Sequence, residues 1–436
     1  MNVRRVIKRI IPKGLFSMIE PYGHLVEAVV LNIRFGFPAR GLKVIGVTGT
    51  NGKTTTAFFI YRMLREAGYK TGIMTTVAYG VDDDIKTQVH HMTNVPVKEL
   101  MQRLKWMREK DVEWLVLETT SHALAQHRVW GIPYSIAVMT NITHEHLDYH
   151  GTFERYRDAK VHLFKLAGQN HRGLRTGVIN ADDPSWRFFT EAVPNAVTYG
   201  IEHGELRGID INTTPSGSDF GLRYKDVTLR LNVHLAGSFN VENAMAAAAT
   251  GIVIGLSDKQ IATGIAALTQ VEGRMTNIDA GQDFSVIVDF AHTPDSFEKL
   301  FKDLKPVVKG KLIVMFGSAG RRDEAKRAVQ GKLAGEYADE VIITEEDDRD
   351  IDGVKIMSQI AEGAEQSGKK QNRDLFLVHN RTEAIQFALA RAQKNDTVLL
   401  LGKGHEKTIE RADGEHPWNE IDTVRKVLLN LKPHTE

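Results

Sequence analysis

The chain has 436 residues, a formal net charge of +1 and no cysteine, which excludes disulfides, thiolate metal sites and the bulk positive charge of nucleic-acid binders. Its 42% hydrophobic and 25% charged residues are typical of a folded globular protein, and its length allows two or three domains. It has no apolar run of about 18 residues and no signal-peptide pattern, so we expect a cytoplasmic location.

Residues 1–41 are expected to form a separate basic segment. Five lysines and arginines precede the first acidic residue, Glu20. The apolar residues between Val6 and Ile11 recur at helical spacing, which predicts a short amphipathic helix. This helix either packs on the protein with its basic face in water, or brings residues 1–13 into peripheral contact with a membrane.

From Lys43 onwards, short apolar runs alternate with helical stretches, which predicts parallel βα units. A β-rich insertion over Tyr199–Leu235 and an Ala-rich helix over Phe239–Gly255 interrupt this pattern, which resumes near Glu272. We therefore predict an α/β fold with two domains, a central one over 42–271 with a mostly parallel sheet and a C-terminal Rossmann-like one over 272–436.

The predicted strands of the central sheet are each followed by polar residues, where open α/β sheets bind ligands. These strands are Val44–Val47, Trp114–Leu117, Ile136–Met139 and Val178–Ile179. The predicted strands of the C-terminal sheet are Ser285–Val288, Leu312–Phe316, Val341–Ile343, Leu375–Val378 and Val398–Leu401.

A glycine-containing loop, T-G-T-N-G-K-T-T from Thr48 to Thr55, lies between the first strand and an amphipathic helix. In this context backbone N–H groups bind phosphate, a lysine neutralises it and a hydroxyl ligates Mg²⁺. Lys53 and Thr54 would take the last two roles, although strict G-x-x-x-x-G-K-[ST] spacing fails at Val47. The central domain is therefore predicted to be P-loop ATPase-like, and its ATP-binding residues are Gly49, Thr50, Asn51, Gly52, Lys53, Thr54 and Thr55.

This loop resembles the G-T-N-G-K-T-T of the Mur ligase family, whose members form amides with ATP. Glu118 and the segment after it, T-T-S-H-A-L-A-Q-H-R-V, resemble the E-V-S-S-H-x-L-x-Q-x-R-V of the MurE-type members, which add the third residue of the peptidoglycan stem peptide. The resemblance implies that Glu118 holds Mg²⁺. It also implies that the acceptor faces Thr93, Thr120, Gln126 and Arg128.

The segment T-N-I-T-H-E-H-L-D-Y-H-G is similar to the family's T-N-L-x-x-D-H-L-D-Y-H-G, with Glu145 in place of an Asp. Lys160 aligns with the lysine that carries a carbamate in this family, and a carbamate is an anion that orients Mg²⁺ instead of repelling it. The resemblance implies the metal ligands Thr54, Glu118, His146 and Lys160. The implied catalytic residues are Lys53, Glu118, His146 and Lys160.

Three further motifs resemble nucleotide contacts of the family. They are G-S-F-N-V-E-N-A in the Ala-rich helix, and E-G-R-M and V-D-F-A-H-T-P-D-S in the C-terminal domain. In the last of these, Phe290 replaces a usual Tyr. The implied nucleotide-binding residues are Asn240, Asn243, Arg274, Asp289 and His292.

The motif G-K-G-H-E matches the MurE-type enzymes and implies that Gly402 and Glu406 hold an incoming diamino acid. The family's D-N-P-R loop is altered to E-D-D-R, which ends at Arg349 and keeps a guanidinium able to bind a second carboxylate. Both lysine and diaminopimelate therefore stay open. Arg327, after a glycine-rich turn, is expected to bind a carboxylate.

The resemblance covers residues 42–436 and implies a monomeric, ATP- and Mg²⁺-dependent ligase. It would join an amino acid to a muramoyl-peptide through an acyl phosphate. Family members normally have a uridine-binding domain before the loop, where this sequence has about forty residues. Two alternatives stay open: a Mur-like ligase of a non-murein polymer (poly-γ-glutamate, cyanophycin-like or pseudomurein), and a non-catalytic binding subunit.

Overall fold

The computed structural model describes residues 13–88, 93–214 and 217–431, and the chain divides into two compact units. The first consists of the chain up to Asp210 with Phe220–Asn232 and Glu242–Ala267; the second consists of Ile211–Asp219, Val233–Val241 and the chain from Leu268. Within the described ranges, no helix is both long enough and apolar enough to cross a bilayer.

An eleven-stranded sheet, most of which lies in the first unit, has the strand order β11-β10-β9-β8-β7-β6-β1-β5-β2-β3-β4. Its strands are β1 (Lys43–Thr48), β2 (Thr71–Met74), β3 (Ala78–Val81), β4 (Asp84–Thr87), β5 (Trp114–Glu118), β6 (Tyr134–Met139), β7 (Thr176–Asn180), β8 (Asn195–Gly200), β9 (Leu206–Thr214), β10 (Gly217–Tyr224) and β11 (Val227–Val233). The parallel pairs are β2–β5, β5–β1, β1–β6, β6–β7, β7–β8 and β8–β9. Strand β3 pairs antiparallel with both β2 and β4.

Strand β1 has the sequence K-V-I-G-V-T, and every residue after its first is buried. An apolar run without alternation is typical of a central parallel strand that is covered on both faces. Because β1 lies between β5 and β6 and parallel to both, the loops that follow these three strands leave from the same edge of the sheet.

Nine helices are described around this sheet. They are α1 (Lys13–Arg34), α2 (Lys53–Glu66), α3 (Val97–Glu109), α4 (Ser121–Ala125), α5 (Leu147–His150), α6 (Phe153–Gln169), α7 (Trp186–Thr190), α8 (Phe239–Ile254) and α9 (Asp258–Ala266). Thr152 caps α6 by accepting a hydrogen bond from the Arg155 N–H. The basic helix predicted between Val6 and Ile11 lies outside the described residues.

The second unit contains a six-stranded sheet with the order β12-β13-β17-β14-β15-β16 and a separate two-stranded hairpin. Its strands are β12 (Thr276–Asn277), β13 (Ser285–Asp289), β14 (Leu312–Phe316), β15 (Glu340–Ile343), β16 (Leu375–Leu377), β17 (Thr397–Leu401) and the hairpin strands β18 (Thr408–Arg411) and β19 (Gly414–Pro417). Its helices are α10 (Pro294–Leu304), a 3₁₀ turn (Lys305–Val307), α11 (Ala325–Tyr337), α12 (Gly353–Gln366), α13 (Arg381–Arg391) and α14 (Glu420–Leu431).

Both faces of this second sheet are covered by apolar side chains. Along β13, Ile287 belongs to one hydrophobic cluster, whereas Val286 and Val288 belong to another. Successive strand residues point to opposite faces, so the two clusters are two layers on a largely parallel sheet. The predicted α/β fold, with a large mostly parallel sheet and a Rossmann-like second unit, is confirmed.

Candidate functional site

The phosphate-loop candidate connects β1 to α2 through a turn that requires glycine. Gly49 has φ 151° and Gly52 has φ 79°. A Cβ at Gly49 would overlap Thr140 Oγ1, and a Cβ at Gly52 would overlap Asn243 Oδ1. Gly52 is the N-cap of α2, so the first-turn N–H groups of that helix face the loop without a capping side chain. A helix start of this kind favours an anion.

The loop is held by the segment that follows β6. The Thr50 N–H donates to the Asn141 carbonyl (2.7 Å), and the Asn51 N–H donates to Asn141 Oδ1 (2.9 Å). In return, Thr140 Oγ1 donates to the Asn51 carbonyl at 2.6 Å. The Thr50 hydroxyl lies 2.9 Å from the hydroxyl of Tyr156 on α6. These bonds fix the main chain of the loop before any ligand arrives.

Two lysines donate to carbonyl oxygens of this loop. Lys53 Nζ lies 2.7 Å from the Thr50 oxygen, and Lys160 Nζ, from α6, lies 2.6 Å from the Gly49 oxygen. Lys160 is buried, and its burial, followed by the charge of Lys53, holds the pKa of its ammonium well below the usual range. Glu145 and Glu118 oppose that shift. The lowered pKa makes the amine of Lys160 easier to deprotonate than an ordinary lysine.

Glu118, the last residue of β5, is 1% exposed. Its Oε2 accepts hydrogen bonds from Thr54 Oγ1 (2.9 Å) and the Thr76 N–H (3.0 Å), and its Oε1 accepts from Thr76 Oγ1 (3.0 Å). A carboxylate and a hydroxyl are thus adjacent beside the loop. Oxygen ligands of this kind suit Mg²⁺.

A cluster of histidines and tyrosines lies beside Lys160. The ring of His122 lies 4.7 Å from that of His146 and 5.4 Å from that of His150. Burial, followed by the nearby His146 and His150, lowers the pKa of His122 to about 3, so this ring is neutral at neutral pH. His146 has φ 55°, and its Nε2 lies 3.8 Å from a carboxylate oxygen of Glu145.

Asn94, which no sequence motif marked, connects the residues predicted to face the acceptor. Its Oδ1 accepts from Thr120 Oγ1 (2.9 Å), its carbonyl accepts from Arg128 Nη1 (2.7 Å), and its Nδ2 donates to the Glu118 carbonyl (2.8 Å). Asn94 therefore ties Thr120 and Arg128 to the end of β5.

The other two predicted acceptor residues also lie in the first unit. The hydroxyls of Thr93 and Thr76 are 2.7 Å apart, which links Thr93 to Glu118 through Thr76. Gln126 ends α4 and hydrogen-bonds Tyr149. Thr76, like Asn94, is a polar residue that sequence reasoning missed.

The two asparagines of the Ala-rich helix have different surroundings. Asn243 Oδ1 accepts from Thr56 Oγ1 at 3.2 Å and lies against Gly52, so it contacts the phosphate loop. Asn240 Nδ2 donates to the Ala236 carbonyl at 2.7 Å, at the start of α8. Thr55, the last residue of the loop motif, is buried on α2.

In the second unit, Arg274, Asp289 and His292 lie around Phe290. The Arg274 guanidinium is 4.6 Å from the Phe290 ring centre, and the ring of His292 is also 4.6 Å from it. Asp289 accepts from the Met275 and Ala291 N–H groups, both at 2.7 Å. Burial raises the pKa of Asp289, and Arg274 opposes this shift.

Glu406, which was predicted to hold the amino acid, lies in an ion-pair group with Lys403 and Asp347 in the second unit. Lys403 is fully buried, and its Nζ lies 2.9 Å from Asp347 Oδ1 and 2.6 Å from Glu406 Oε2. Burial alone would lower the pKa of Lys403, but Glu406 and Asp347 raise it above the ordinary value. Gly402 follows β17 with φ 100°.

Two arginines of the second unit also form hydrogen bonds within the protein. Arg349 Nε donates to Glu410 Oε2 at 2.7 Å, and Arg349 Nη1 donates to the Gly320 carbonyl at 2.7 Å. Arg327 is fully buried on α11, where its Nη1 donates to Gln359 Oε1 at 2.6 Å. The structure therefore satisfies both guanidinium groups partly from within the protein.

Glu345, Asp348 and His379 bring three potential metal-ligand atoms within 4.8 Å of one another. However, both carboxylate oxygens of Glu345 accept from Arg411, at 2.8 and 2.9 Å, and His379 Nε2 lies 2.9 Å from Asp348. The arginine supplies the positive charge that a cation would bring, so this group is an ion-pair network.

Two known domain families and several named relatives match most of this chain. The Mur ligase middle domain matches residues 47–251, and the Mur ligase, glutamate ligase domain matches residues 273–404. The UDP-N-acetylmuramyl-tripeptide synthetase of Roseiflexus sp. (strain RS-1) is 39% identical over 409 residues, which cover 91% of this chain and 80% of that protein.

Two further matches are of the same kind. The UDP-N-acetylmuramoyl-L-alanyl-D-glutamate--2,6-diaminopimelate ligase of Bacillus licheniformis is 36% identical over 410 residues, 93% of this chain and 82% of that protein. A solved structure of a ligase of that name has a TM-score of 0.63 and 29% identity, and the match covers 94% of this chain and 83% of that one. The chain belongs to the Mur ligase family.

Proposed function

We propose that this ATP-dependent ligase adds a diamino acid to a muramoyl-peptide during peptidoglycan synthesis. The names of its relatives support this reaction, because they are tripeptide synthetases and diaminopimelate ligases. The observation that carries the proposal is the Thr54–Glu118 hydrogen bond (2.9 Å) beside a loop to which Lys53 and Lys160 donate. The hydroxyl and the carboxylate form an oxygen site for a cation, and Lys53 supplies positive charge for phosphate.

In the proposed reaction, the acceptor carboxylate attacks the γ-phosphoryl group of ATP, and ADP leaves. The amino group of the incoming amino acid then attacks the acyl carbon. A C–N bond forms, the acyl C–O bond breaks, phosphate leaves and the amine loses a proton. Lys53 and the first-turn N–H groups of α2 would stabilise the negative charge on the transferred group.

Magnesium would bind at the Thr54 hydroxyl and the Glu118 carboxylate, with His146 and a modified Lys160 as further ligands. The donor set fits the ion because it consists mainly of oxygens and one of them is a buried carboxylate. When bound, Mg²⁺ would neutralise phosphate charge. The protein's own part is to hold Glu118 in place, which Thr76 does with two hydrogen bonds.

Lys160 is proposed to carry a carbamate. Its neutral amine would attack the carbon of CO₂, so that a C–N bond forms, one C=O π bond opens and the nitrogen loses a proton. The lowered pKa of this buried lysine favours the neutral amine. The new carboxylate would convert a cation beside Lys53 into an anion, which removes a like-charge repulsion and adds an oxygen ligand.

The proposed amino acid is lysine rather than diaminopimelate. Glu406 and Asp347 both pair with Lys403, so two carboxylates share one ammonium group, and this arrangement suits a second ammonium group. A second carboxylate would need Arg349, whose Nε already pairs with Glu410 at 2.7 Å. A ligase of another polymer and a non-catalytic subunit are not favoured, because the relatives at 36 and 39% identity carry peptidoglycan ligase names.

The test is release of ADP by the purified chain with ATP, Mg²⁺ and UDP-N-acetylmuramoyl-L-alanyl-D-glutamate. We expect turnover only when a diamino acid is also present, with lysine used better than diaminopimelate. Reactions without the acceptor and reactions with alanine are the controls. Turnover with a poly-γ-glutamate acceptor, but not with the muramoyl-peptide, would contradict the proposal.

A further inference from the structure

Helix α1 carries a stripe of large, mainly apolar side chains on its outer face. The stripe consists of Ile19, Tyr22, Val26, Val30 and Ile33, which are 49%, 66%, 63%, 55% and 63% exposed. Their spacings of three and four residues place them, at about 100° per residue, within a sector of roughly 80°. Such a continuous apolar surface is unusual for a helix face in contact with water.

The opposite face of α1 fixes the orientation of the stripe. His24, Ala28 and Asn32 are buried, and Ala28 belongs to the hydrophobic core of the first unit. Asn32 Nδ2 donates to the Trp130 carbonyl at 3.1 Å. The helix is therefore anchored along one side, and turning the stripe inward would break these contacts.

Positive charge is concentrated in the sequence just before this stripe. Residues 1–34 contain six lysines or arginines against two glutamates, hence a net charge of +4, whereas the whole chain carries +1. All of the basic residues except Arg34 precede the stripe. The rest of the chain is therefore slightly acidic, and the N-terminal region differs from it in both charge and surface apolarity.

We propose that the outer face of α1 docks on an anionic membrane surface. The five stripe residues would enter the interface between headgroups and acyl chains, and the net charge of +4 over residues 1–34 would attract anionic headgroups. Because α1 is not apolar enough to span a bilayer, it would lie in the plane of the membrane. This proposal does not depend on the proposed reaction.

A second copy of the chain fits this surface less well. Two copies that pair through the stripe would bring two N-terminal segments of charge +4 close together, and their repulsion would oppose the pairing. An anionic surface instead attracts every one of these charges. Charge complementarity therefore favours lipid as the occupant.

The experiment uses the full chain and extruded vesicles of phosphatidylcholine with 30% phosphatidylglycerol. We expect the protein to float with these vesicles and not with pure phosphatidylcholine, and binding to fall at least tenfold when salt rises from about 0.05 to 0.5 M. The double variant Val26→Ser, Val30→Ser should lose binding at least tenfold. The matched control is Val227→Ser, Val354→Ser, which changes two exposed valines outside α1 and should bind as the parent does.

A second readout reports the position of the stripe directly. The chain has no cysteine, so Val26→Cys and, as control, Val227→Cys each supply a single labelling site for an environment-sensitive fluorophore. A blue shift with anionic vesicles at position 26 alone supports the proposal. Absence of vesicle binding, or a concentration-dependent dimer that the Val26→Ser, Val30→Ser variant abolishes, would overturn it. Ligase activity without vesicles should be unchanged in all these variants, so failure here is distinct from failure of the proposed reaction.

Discussion

The phosphate-loop region of the first unit and the loops around Lys403 in the second unit differ in how their charges are satisfied. Lys53 and Lys160 donate to main-chain carbonyls of the loop, whereas Lys403 and Arg349 pair with the carboxylates of Asp347, Glu406 and Glu410. A main-chain carbonyl, unlike a carboxylate, brings no net charge to its lysine partner. The second region places three carboxylates beside two cations, so small changes of charge there should alter specificity more than rate.

The largest expected effect follows from removing charge in the first region. Lys53→Ala should lower ATP turnover about a thousandfold, since the loop lysine acts on developing phosphate charge. Phosphate release measures the effect, and circular dichroism checks that the fold is kept. Lys165→Ala, an exposed lysine on α6, is the control. Turnover near the parent level in Lys53→Ala would show that the loop lysine takes no part in the reaction.

Lys160→Ala should lower turnover about a hundredfold or more, and added acetate should restore part of it, because a small carboxylate can occupy the place of the carbamate. In CO₂-free buffer the parent should lose activity and regain it with bicarbonate. With ¹³C-bicarbonate, a carbamate resonance should appear in the parent and in Lys165→Ala but not in Lys160→Ala. Full activity in CO₂-free buffer would contradict the modification.

In the second region, Glu410→Gln should shift the choice of amino acid. Freed from its partner, Arg349 could bind the second carboxylate of diaminopimelate, so kcat/KM for diaminopimelate relative to lysine should rise about tenfold, or 1.4 kcal/mol. Glu415→Gln, opposite Glu410 on the hairpin, should leave the ratio unchanged. If Glu410→Gln changes both substrates equally, Arg349 does not discriminate between them, although the ligase reaction itself would stand.

The sequence could predict features that depend on neighbouring residues, but not those that depend on contacts between distant residues. The β1–loop–α2 unit depends on a contiguous apolar strand, two glycines and a following helix, so local pattern was sufficient. Thr76 and Asn94 were missed because each acts through partners far along the chain, at Glu118 and Arg128, and neither belongs to a motif.

Ion pairs between distant residues and short strands were also not predicted from the sequence. Arg349 and Glu410 are 61 residues apart, and only the tertiary fold shows that one neutralises the other. Strands β2, β3 and β4 have four residues each, which is too short for a reliable periodicity, and β4 is also exposed throughout and so has no buried face.

The smallest expected effect concerns a feature that the two units share, a histidine with a pKa lowered to about 3. Burial is the main cause for both His122 and His405, followed by His146 for the first and Arg274 for the second. Unfolding returns each ring to a pKa near 6.5, so between about pH 6.5 and 3 the unfolded chain binds more protons than the folded one. The free energy of unfolding should therefore fall as pH falls through this window, by up to about 1.4 kcal/mol per pH unit for each histidine.

Urea unfolding of the ligand-free chain at pH 7 and pH 4.5 measures this loss. His122→Asn and His405→Asn should each reduce the loss by about 2 kcal/mol, whereas His171→Asn, at an exposed histidine, should leave it unchanged. An effect at only one position would show that the two units differ in the burial of their histidines as well as in their charge balance. If neither substitution changes the fall in the free energy of unfolding, protonation of carboxylates, and not of these histidines, destabilises both units at low pH.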